Sequence, residues 1–460
     1  MHTYDLSGGG LCTGLVEALR ADMLSGRLAA GEKLPSKRRL AEHHGISVQT
    51  VQNAYEQLIA EGYIVARERS GYYVAELEAP LARAEAASAP VIEEAERAWS
   101  LDLVANTTDA SRFPFALWSR LSRRVLAEER DLLSPSPAAG VAALREAIAT
   151  HLAEVRGIAV SPAQIVIGAG NEYLYQLLFQ LFGRAHRYGL ENPGHTKIAR
   201  IAALYGAPFS PVSVDKGGVV IGDLVREGVD ILHTSPGHHF PTGVLTPATR
   251  RAALLAWLAE GDRYIIEDDY DSEFRFRGKQ IPPLFATDQT GRVIYMNTFS
   301  KTIAPSMRIS FMVLPPELLS RYRAQLGFYA CPVPVPTQYT LARFLSEGHF
   351  ERHLHRMRTF YRARRDEVIA ALCTSPFADR LTVKEADAGL HFLVKIKTAK
   401  SDAALRALLA DAGIRAAFLE DYRIDGAHPD THTVVFNYSG VSPDALRAGL
   451  ARLAAKINEG

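Results

Sequence analysis

The sequence predicts a multidomain chain: a small helical unit closed by a β-hairpin, then a large α/β unit ending in a smaller α+β part. Three observations carry this. Residues 1–75 hold three capped, amphipathic helix signals followed by a short strand signal. Residues 76–98, "ELEAPLARAEAASAPVIEEAERA", are rich in Ala and Glu, contain two prolines and lack aromatics, the composition of a linker. From residue 99 onward, short apolar runs alternate with long amphipathic stretches, the pattern of a mostly parallel sheet covered by helices.

Composition narrows the class. A length of 460 residues fits two or three domains, and 47% hydrophobic with 22% charged residues is ordinary for a soluble globular protein. A net charge of +1 excludes a globally basic nucleic-acid binder but leaves room for a local basic patch. Cys12, Cys331 and Cys373 are scattered without metal-ligand or redox spacing, which points to a reducing compartment. No apolar run reaches the ~18 residues of a membrane span. The start, "MHTYDLSGGG", lacks the basic-then-apolar order of a signal peptide. A cytoplasmic protein with no membrane partner is expected.

In the first unit, "GLVEALRADMLSG" reads as a helix ended by Gly26, and "SKRRLAEHHG" as a second opening at Ser36 and stopping at Gly45. "SVQTVQNAYEQLIAEG" is a third, with Ser47 as N-cap; Val48, Val51, Tyr55, Leu58 and Ile59 fall on one face. That leaves Gln49, Thr50, Gln52 and Asn53 on the other. "YIVARERSGYYVAE" reads as two strands around a turn at Ser70-Gly71. Two helices joined at Gly45 make a helix-turn-helix, and the hairpin makes it winged. The amides of the third helix suit adenine edges. Lys37, Arg38 and Arg39, at a helix start with free N–H groups, suit phosphates. Arg67 and Arg69 in the wing suit an adjacent groove or phosphate. Residues 1–75 hold eight Lys/Arg and eight Asp/Glu, so the footprint is clustering and not net charge. A helical protein-interaction domain would share much of this grammar.

In the second unit the strand signals are "QIVIG", "RYGLE", "VDILHTSP", "RYIIEDD" and "RVIYMNT". A smaller α+β subdomain, about residues 345–460, holds "GLHFLVKI" and "HTVVFNYSG" around the helical "SDAALRALLADAG". Open α/β sheets bind ligands beyond the C-terminal ends of their strands. There the sequence places Gly168-Ala169-Gly170-Asn171 opening a helix, Glu191-Asn192-Pro193-Gly194-His195 with Lys197 behind, "HTSPGHHFPTG", "EDDYD", and "NTFSKTIAPSMRIS". A phosphate cradle, a strand-end carboxylate and a lysine with a nearby arginine fit pyridoxal 5′-phosphate. Its aldehyde forms a Schiff base with a lysine, and its ring nitrogen wants an acid partner. Lys301 would supply the amine and Asp268 the acid; Gly170, Asn171, Thr298, Ser300 and Arg308 would hold the phosphate. Read locally, "EDDYD" also fits a divalent-metal site or a solvated acidic loop.

Two further features have plain readings. His349 and His353 lie four apart on a helix, "GHFERHLHRMRTFYRARR", without the further ligands a metal site needs. The six arginines of that stretch read as a solvated or interface face, with auxiliary contact to bent DNA as the alternative.

"EKLPSKRRLAEHHGISVQTVQNAYEQLIAEGYIVARERSGYYV" resembles the winged helix of GntR-type bacterial transcription regulators, although Gln49 and Gln52 stand where arginines are common. The motifs "ENPG", "FPTG", "EDDYDSEFRF" and "TFSKTIAPSMRIS" resemble, in order and spacing, fold-type I aminotransferase-like enzymes over about residues 99–455. Together they resemble the MocR subfamily of GntR regulators. The resemblance implies Lys301 as the catalytic, Schiff-base lysine and Asp268 as the partner of the pyridine nitrogen. It implies Tyr270 near the ring hydroxyl, and Arg308, Thr298 and Gly170 with Asn171 around the phosphate. DNA would be read by Ser47, Gln49, Thr50, Gln52 and Asn53, with Lys37, Arg38, Arg39, Arg67 and Arg69 on the backbone.

The chain departs from the enzymes at three binding positions. His195 stands where many relatives place a tyrosine against the cofactor ring, which an imidazole could also stack on. Phe240 stands where they carry the asparagine that bonds the ring hydroxyl, with His238 or His239 as replacements. Val434, Val435 and Asn437 stand where they carry the arginine that clamps a substrate carboxylate, with Lys197 as another anion contact. These departures favour a regulator that binds double-stranded operator DNA as a homodimer and senses an amine, an amino acid or the cofactor itself. The alternative is a working aminotransferase acting on an amino acid.

Overall fold

The structure, a computed structural model, describes residues 3–4, 10–76, 98–105, 107–278 and 281–459. The chain divides into two compact units, Met1–Glu96 and Arg97–Gly460. All but the two ends of the expected linker, residues 77–97, lie outside the described residues.

The first unit is built on α1 (Leu11–Leu24), α2 (Lys37–His44) and α3 (Val48–Ala60), followed by β1 (Ile64–Arg67) and β2 (Gly71–Val74). Local chemistry sets the helix ends. Ser36 Oγ accepts from the Arg39 N–H, Ser47 Oγ accepts from the Thr50 N–H, and Gly45 takes the left-handed conformation (φ 63°) that ends α2. Leu15, Leu19, Leu40, Val51 and Leu58 form the core with Tyr55, whose hydroxyl donates to the Pro35 carbonyl at 2.9 Å. The buried stripe of α3 differs from expectation. It runs through Val51, Ala54, Tyr55 and Leu58, leaving Val48 43% and Ile59 38% exposed. Ile59 lies roughly 100° round the helix from Leu58, too far to share its face, and Val48 opens the helix on its exposed side. Arg67 pairs with Gly71, so the wing's loop is Glu68–Ser70, just ahead of the expected turn, with Arg69 at φ 58°.

The second unit opens with β3 (Leu101–Asp102), α4 (Phe115–Glu128) and α5 (Ala142–His151). Strand and helix then alternate: β4 (Ile165–Gly168), α6 (Asn171–Phe182), β5 (Tyr188–Asn192), α7 (Thr196–Tyr205), β6 (Phe209–Asp215), β7 (Gly218–Val219), α8 (Ile221–Arg226) and β8 (Ile231–Thr234). They are followed by α9 (Ala248–Ala259), β9 (Tyr264–Asp268), α10 (Leu284–Thr287), β10 (Val293–Thr298) and β11 (Ser310–Val313). These eight strands form one sheet in the order β4-β11-β10-β9-β8-β5-β6-β7, in which β6, β5, β8, β9 and β10 run parallel. Side chains alternate between two cores as a pleat requires: Ile165, Ile167, Tyr295 and Phe311 face one, Val166, Ile294, Met296 and Met312 the other.

The antiparallel β11, between β10 and β4, is an addition to the expected pattern. Arg308 takes a left-handed conformation (φ 49°), and the chain returns along β10 with Ser310 opposite Thr298.

The remainder is α11 (Pro316–Leu326), α12 (Val335–Ser346), α13 (His349–Cys373), β12 (Leu381–Lys384), β13 (His391–Ile396), α14 (Asp402–Asp411), β14 (Ile414–Arg415), β15 (Ala417–Phe418), β16 (Thr433–Asn437) and α15 (Pro443–Glu459). A four-stranded antiparallel sheet, β12-β13-β16-β15, underlies this α+β part. The first strand of the unit also joins it: β3 pairs parallel with β14, Leu101 opposite Ile414. Among the described residues, no helix is long and apolar enough to cross a membrane.

Candidate functional site

The acidic stretch after β9 is neither a solvated loop nor one shared cage. All five carboxylates of residues 267–273 are buried, and each has its own partner. Glu267 accepts from the N–H groups of Leu284 (2.8 Å) and Phe285 (2.9 Å), closing the start of α10. Asp269 is ion-paired with buried Arg156 and accepts from the Tyr295 hydroxyl at 2.7 Å. Asp271 accepts from His238 Nδ1 at 2.9 Å, and Glu273 from Asn297 Nδ2 at 3.1 Å. Asp268, at the end of β9, accepts from the Tyr175 hydroxyl at 2.6 Å and from Asn171 Nδ2 at 3.2 Å. Burial works to raise the Asp268 carboxyl, but His233, 3.8 Å away, and the Tyr175 bond outweigh it and hold the carboxyl below its ordinary range. It is a fixed anion.

Lys301 follows β10 in the turn that leads to β11. It lines a cavity of about 420 Å³ together with His195, Phe240, Tyr270, Asp271 and His391. Loss of solvent lowers its ammonium to about 8, against the pull of the Asp271 carboxylate. A lysine so placed is partly a free amine, hence a nucleophile, near neutral pH. The next residue is pinned from below, because buried His353 donates through Nε2 to the Thr302 carbonyl at 2.9 Å. His353 therefore positions the lysine turn, whereas His349 contacts Glu347 and Arg352.

Around the turn, Thr298 Oγ1 donates to Ser300 Oγ (3.0 Å) and accepts from Ser310 Oγ (2.8 Å). Arg308 reaches across to the start of α6, donating to the Ala169 carbonyl at 3.3 Å and to Glu172 at 2.6 Å. Gly170 there has φ 93°, and a Cβ on it would come within 2.7 Å of Arg308 Cζ. The left-handed backbone favours glycine, and a methyl there would push the Arg308 guanidinium aside. Lys197 also reaches Glu172, at 3.5 Å. The hydroxyls thus bond among themselves, while Arg308 ties the lysine turn to the opening of α6, where Glu172 engages it.

Aromatic rings wall the cavity. His195 stacks on Phe240 with centroids 4.5 Å apart, and Phe240 meets Tyr422 and His391 edge-on at 5.0 and 5.3 Å. Tyr270 Oη lies 3.3 Å from His238 Nδ1, so His238 joins Tyr270 to Asp271. His239 packs instead against Thr242 (2.6 Å) and Glu191 (3.4 Å). In the first unit, Gln49 and Asn53 are exposed on α3 and bonded to each other at 2.8 Å; Lys37 reaches Gln52 at 3.4 Å, and Arg67 lies over Tyr73.

Comparison with known proteins fits both units. Residues 12–74 match the model for bacterial regulatory proteins of the gntR family. The chain is 35% identical over 96% of its length to the HTH-type transcriptional regulator YdeL of Bacillus subtilis, covering 95% of that protein. It is 33% identical over 95% of its length to the probable rhizopine catabolism regulatory protein MocR of Rhizobium meliloti, covering 92% of it. The chain belongs to the MocR subfamily of GntR transcription regulators. It is also 31% identical, over 97% of its length and 96% of the relative's, to the pyridoxine biosynthesis regulator PdxR of Corynebacterium glutamicum. Among solved structures, an archaeal alanine:glyoxylate aminotransferase superposes with TM-score 0.70 and 26% identity, covering 78% of this chain and 91% of that one. In this chain a winged helix-turn-helix precedes an aminotransferase-like domain.

This MocR-type regulator has site residues that its motifs did not announce. Tyr175 follows Asn171 at helical spacing, so both reach Asp268 from one face of α6. Asp271 and His391 stand inside or beside quoted motifs, while Glu172 looked like a helix-start acid. Arg415 and Tyr422, which also line the cavity, sit in a stretch with no strong periodicity. Three of the α13 arginines are internal ties: Arg358 donates to the Glu273 carbonyl, Arg364 to that of Val441 and Arg365 to that of Ala386.

Proposed function

We propose that this regulator holds pyridoxal 5′-phosphate at Lys301 and reports an amine or amino acid to its DNA-reading unit. The carrying observation is the desolvated Lys301 amine beside a glycine-dependent anion cradle. The residues present fit the cofactor. Arg308, Thr298, Ser300 and the opening turn of α6 offer donors to a phosphate, and buried Asp268 offers a fixed negative charge to the protonated ring nitrogen. When bound, the cofactor supplies an aldehyde that condenses with amines. The protein's part is to hold that group, present the Lys301 amine as a free base, and screen the cavity from bulk water with Phe240, His195 and Tyr422. A ligand shifts the DNA-binding equilibrium only by its differential affinity for the two states.

On the DNA side, the exposed face of α3 would read base edges through Gln49, Thr50, Gln52 and Asn53, while Lys37, Arg38, Arg39, Arg67 and Arg69 would meet phosphates. In this reading the protein acts as a cytoplasmic homodimer, whose two helix-turn-helix units would read two half-sites. The test is operator binding, on DNA from upstream of the protein's own gene, with and without cofactor and amines. Lys301→Ala should bind DNA but lose the response to amine; a normal response in that variant would sink the proposal. The Glu172–Arg308 contact favours a second reading, in which the cofactor is itself the signal because it must displace a carboxylate to bind. In that case the cofactor alone, without amine, should change DNA affinity.

A further inference from the structure

The clamp arginine missing from β16 has a counterpart on the neighbouring strands. β15 pairs with β16, Ala417 opposite Val435, and Arg415 lies two residues before Ala417. Arg415 lines the same cavity as Lys301, together with Val435 and Asn437. Its charge is aimed. Asp102 Oδ1 is fixed by the N–H groups of Val104 (2.8 Å) and Ala105 (2.9 Å), while its Oδ2 takes up Arg415 Nη1 at 3.2 Å. The guanidinium side chain is half exposed, toward solvent that a ligand would displace. The other cation on this wall, Lys197, is engaged by Glu172.

We infer that Arg415 is the anchor for an anionic group on the effector, which is therefore an amine that also carries a carboxylate. This rests on the amine-sensing reading above. A guanidinium already held at one nitrogen presents its remaining N–H groups in a fixed fork, the geometry that suits a carboxylate. Asp102 is both the group that orients it and the group an incoming carboxylate must share it with. The relocation from β16 to β14 moves the anion seat, so the preferred spacing between amine and acid need not be that of an α-amino acid.

The test follows the cofactor's visible absorbance in the loaded, full-length protein during titration with ethylamine, glycine, β-alanine and 5-aminopentanoate. At least one of the three acids should half-saturate about ten- to a hundredfold below ethylamine, the range of a charge-assisted bond. In Arg415→Gln the acid and ethylamine values should converge. Acetate should compete with the preferred acid, but not with ethylamine, in the unmodified protein, which covers the case of a variant that fails to fold. A preference that survives Arg415→Gln with no acetate competition overturns the anchor while leaving amine sensing intact. So does the absence of any preference for the acids. Absence of any response to all four amines overturns the amine-sensing reading, and the anchor with it.

Discussion

Gly170→Ala isolates the phosphate cradle from the rest of the site. The backbone there has φ 93°, so an alanine costs about 1–3 kcal/mol in conformational strain. With an unfolding entropy of ~2 cal/mol/K per residue, the second unit should lose only roughly 1–4 °C in melting temperature. The local effect is larger. The new methyl would meet Arg308 Cζ at 2.7 Å, so the guanidinium must swing away from the opening of α6. Losing one charge-assisted contact to phosphate is worth about 1.5–3 kcal/mol, or roughly 10–100-fold in affinity. Titrating the cofactor-free protein with pyridoxal 5′-phosphate, and separately with pyridoxal, reads this directly by visible absorbance. The phosphorylated compound should weaken by that factor, and pyridoxal should bind as it does to the unmodified protein. Equal losses for both would refute the assignment of Arg308 and Gly170 to the phosphate.

Glu172→Gln should have the opposite effect, tightening pyridoxal 5′-phosphate by about fivefold or more, since it removes a carboxylate at 2.6 Å from Arg308 that competes for the same charge; the gain should shrink at ~1 M salt. Cofactor capture at Lys301 should quicken with pH and level off above about 8, in stopped-flow measurements. Between about 8 and 10.5 the unfolded chain holds a proton on this lysine that the folded one has released, so folding stability from this group rises with pH across that window. A denaturant series on the cofactor-free protein should show this increment, and Lys301→Ala should lack it. Ser47→Ala removes the N-cap of α3 and should cost about 1 kcal/mol in the first unit, read as an earlier unfolding transition.

Much of the site was legible because its chemistry sits at strand ends. Lys301, Arg308 and Gly170 carry constraints that show in one dimension: a glycine before a helix, hydroxyls flanking a lysine. The caps at Ser36, Gly45 and Ser47 were equally local. What stayed hidden depends on tertiary pairing. The run "ISFMVL" is as apolar as the other strand signals, but it lies inside the motif that follows Lys301 and its antiparallel return, which brings Ser310 to Thr298, depends on tertiary pairing. "EDDYD" yields Asp268 but still fits a solvated loop, because nothing in the sequence says that Arg156, 113 residues away, is buried against Asp269. Arg415 was invisible for the same reason. It is one basic residue in a two-residue strand, and its place at Lys301's cavity depends on the pairing of β14 with β3, 313 residues earlier.

The pairing of β3 with β14 bears on how the protein is made. Asp102 and Arg415 are separated by 313 residues of sequence. At ~5–20 residues per second, a ribosome needs roughly 15–60 s to synthesise that interval. Throughout it, the DNA-reading unit has all its own core residues, from Leu15 to Val74, and can fold as they emerge. The first strand of the aminotransferase-like unit must wait, unpaired, for almost the last part of the chain. A chain cut short anywhere in that interval would carry a complete helix-turn-helix unit joined to a second unit whose first strand has no partner.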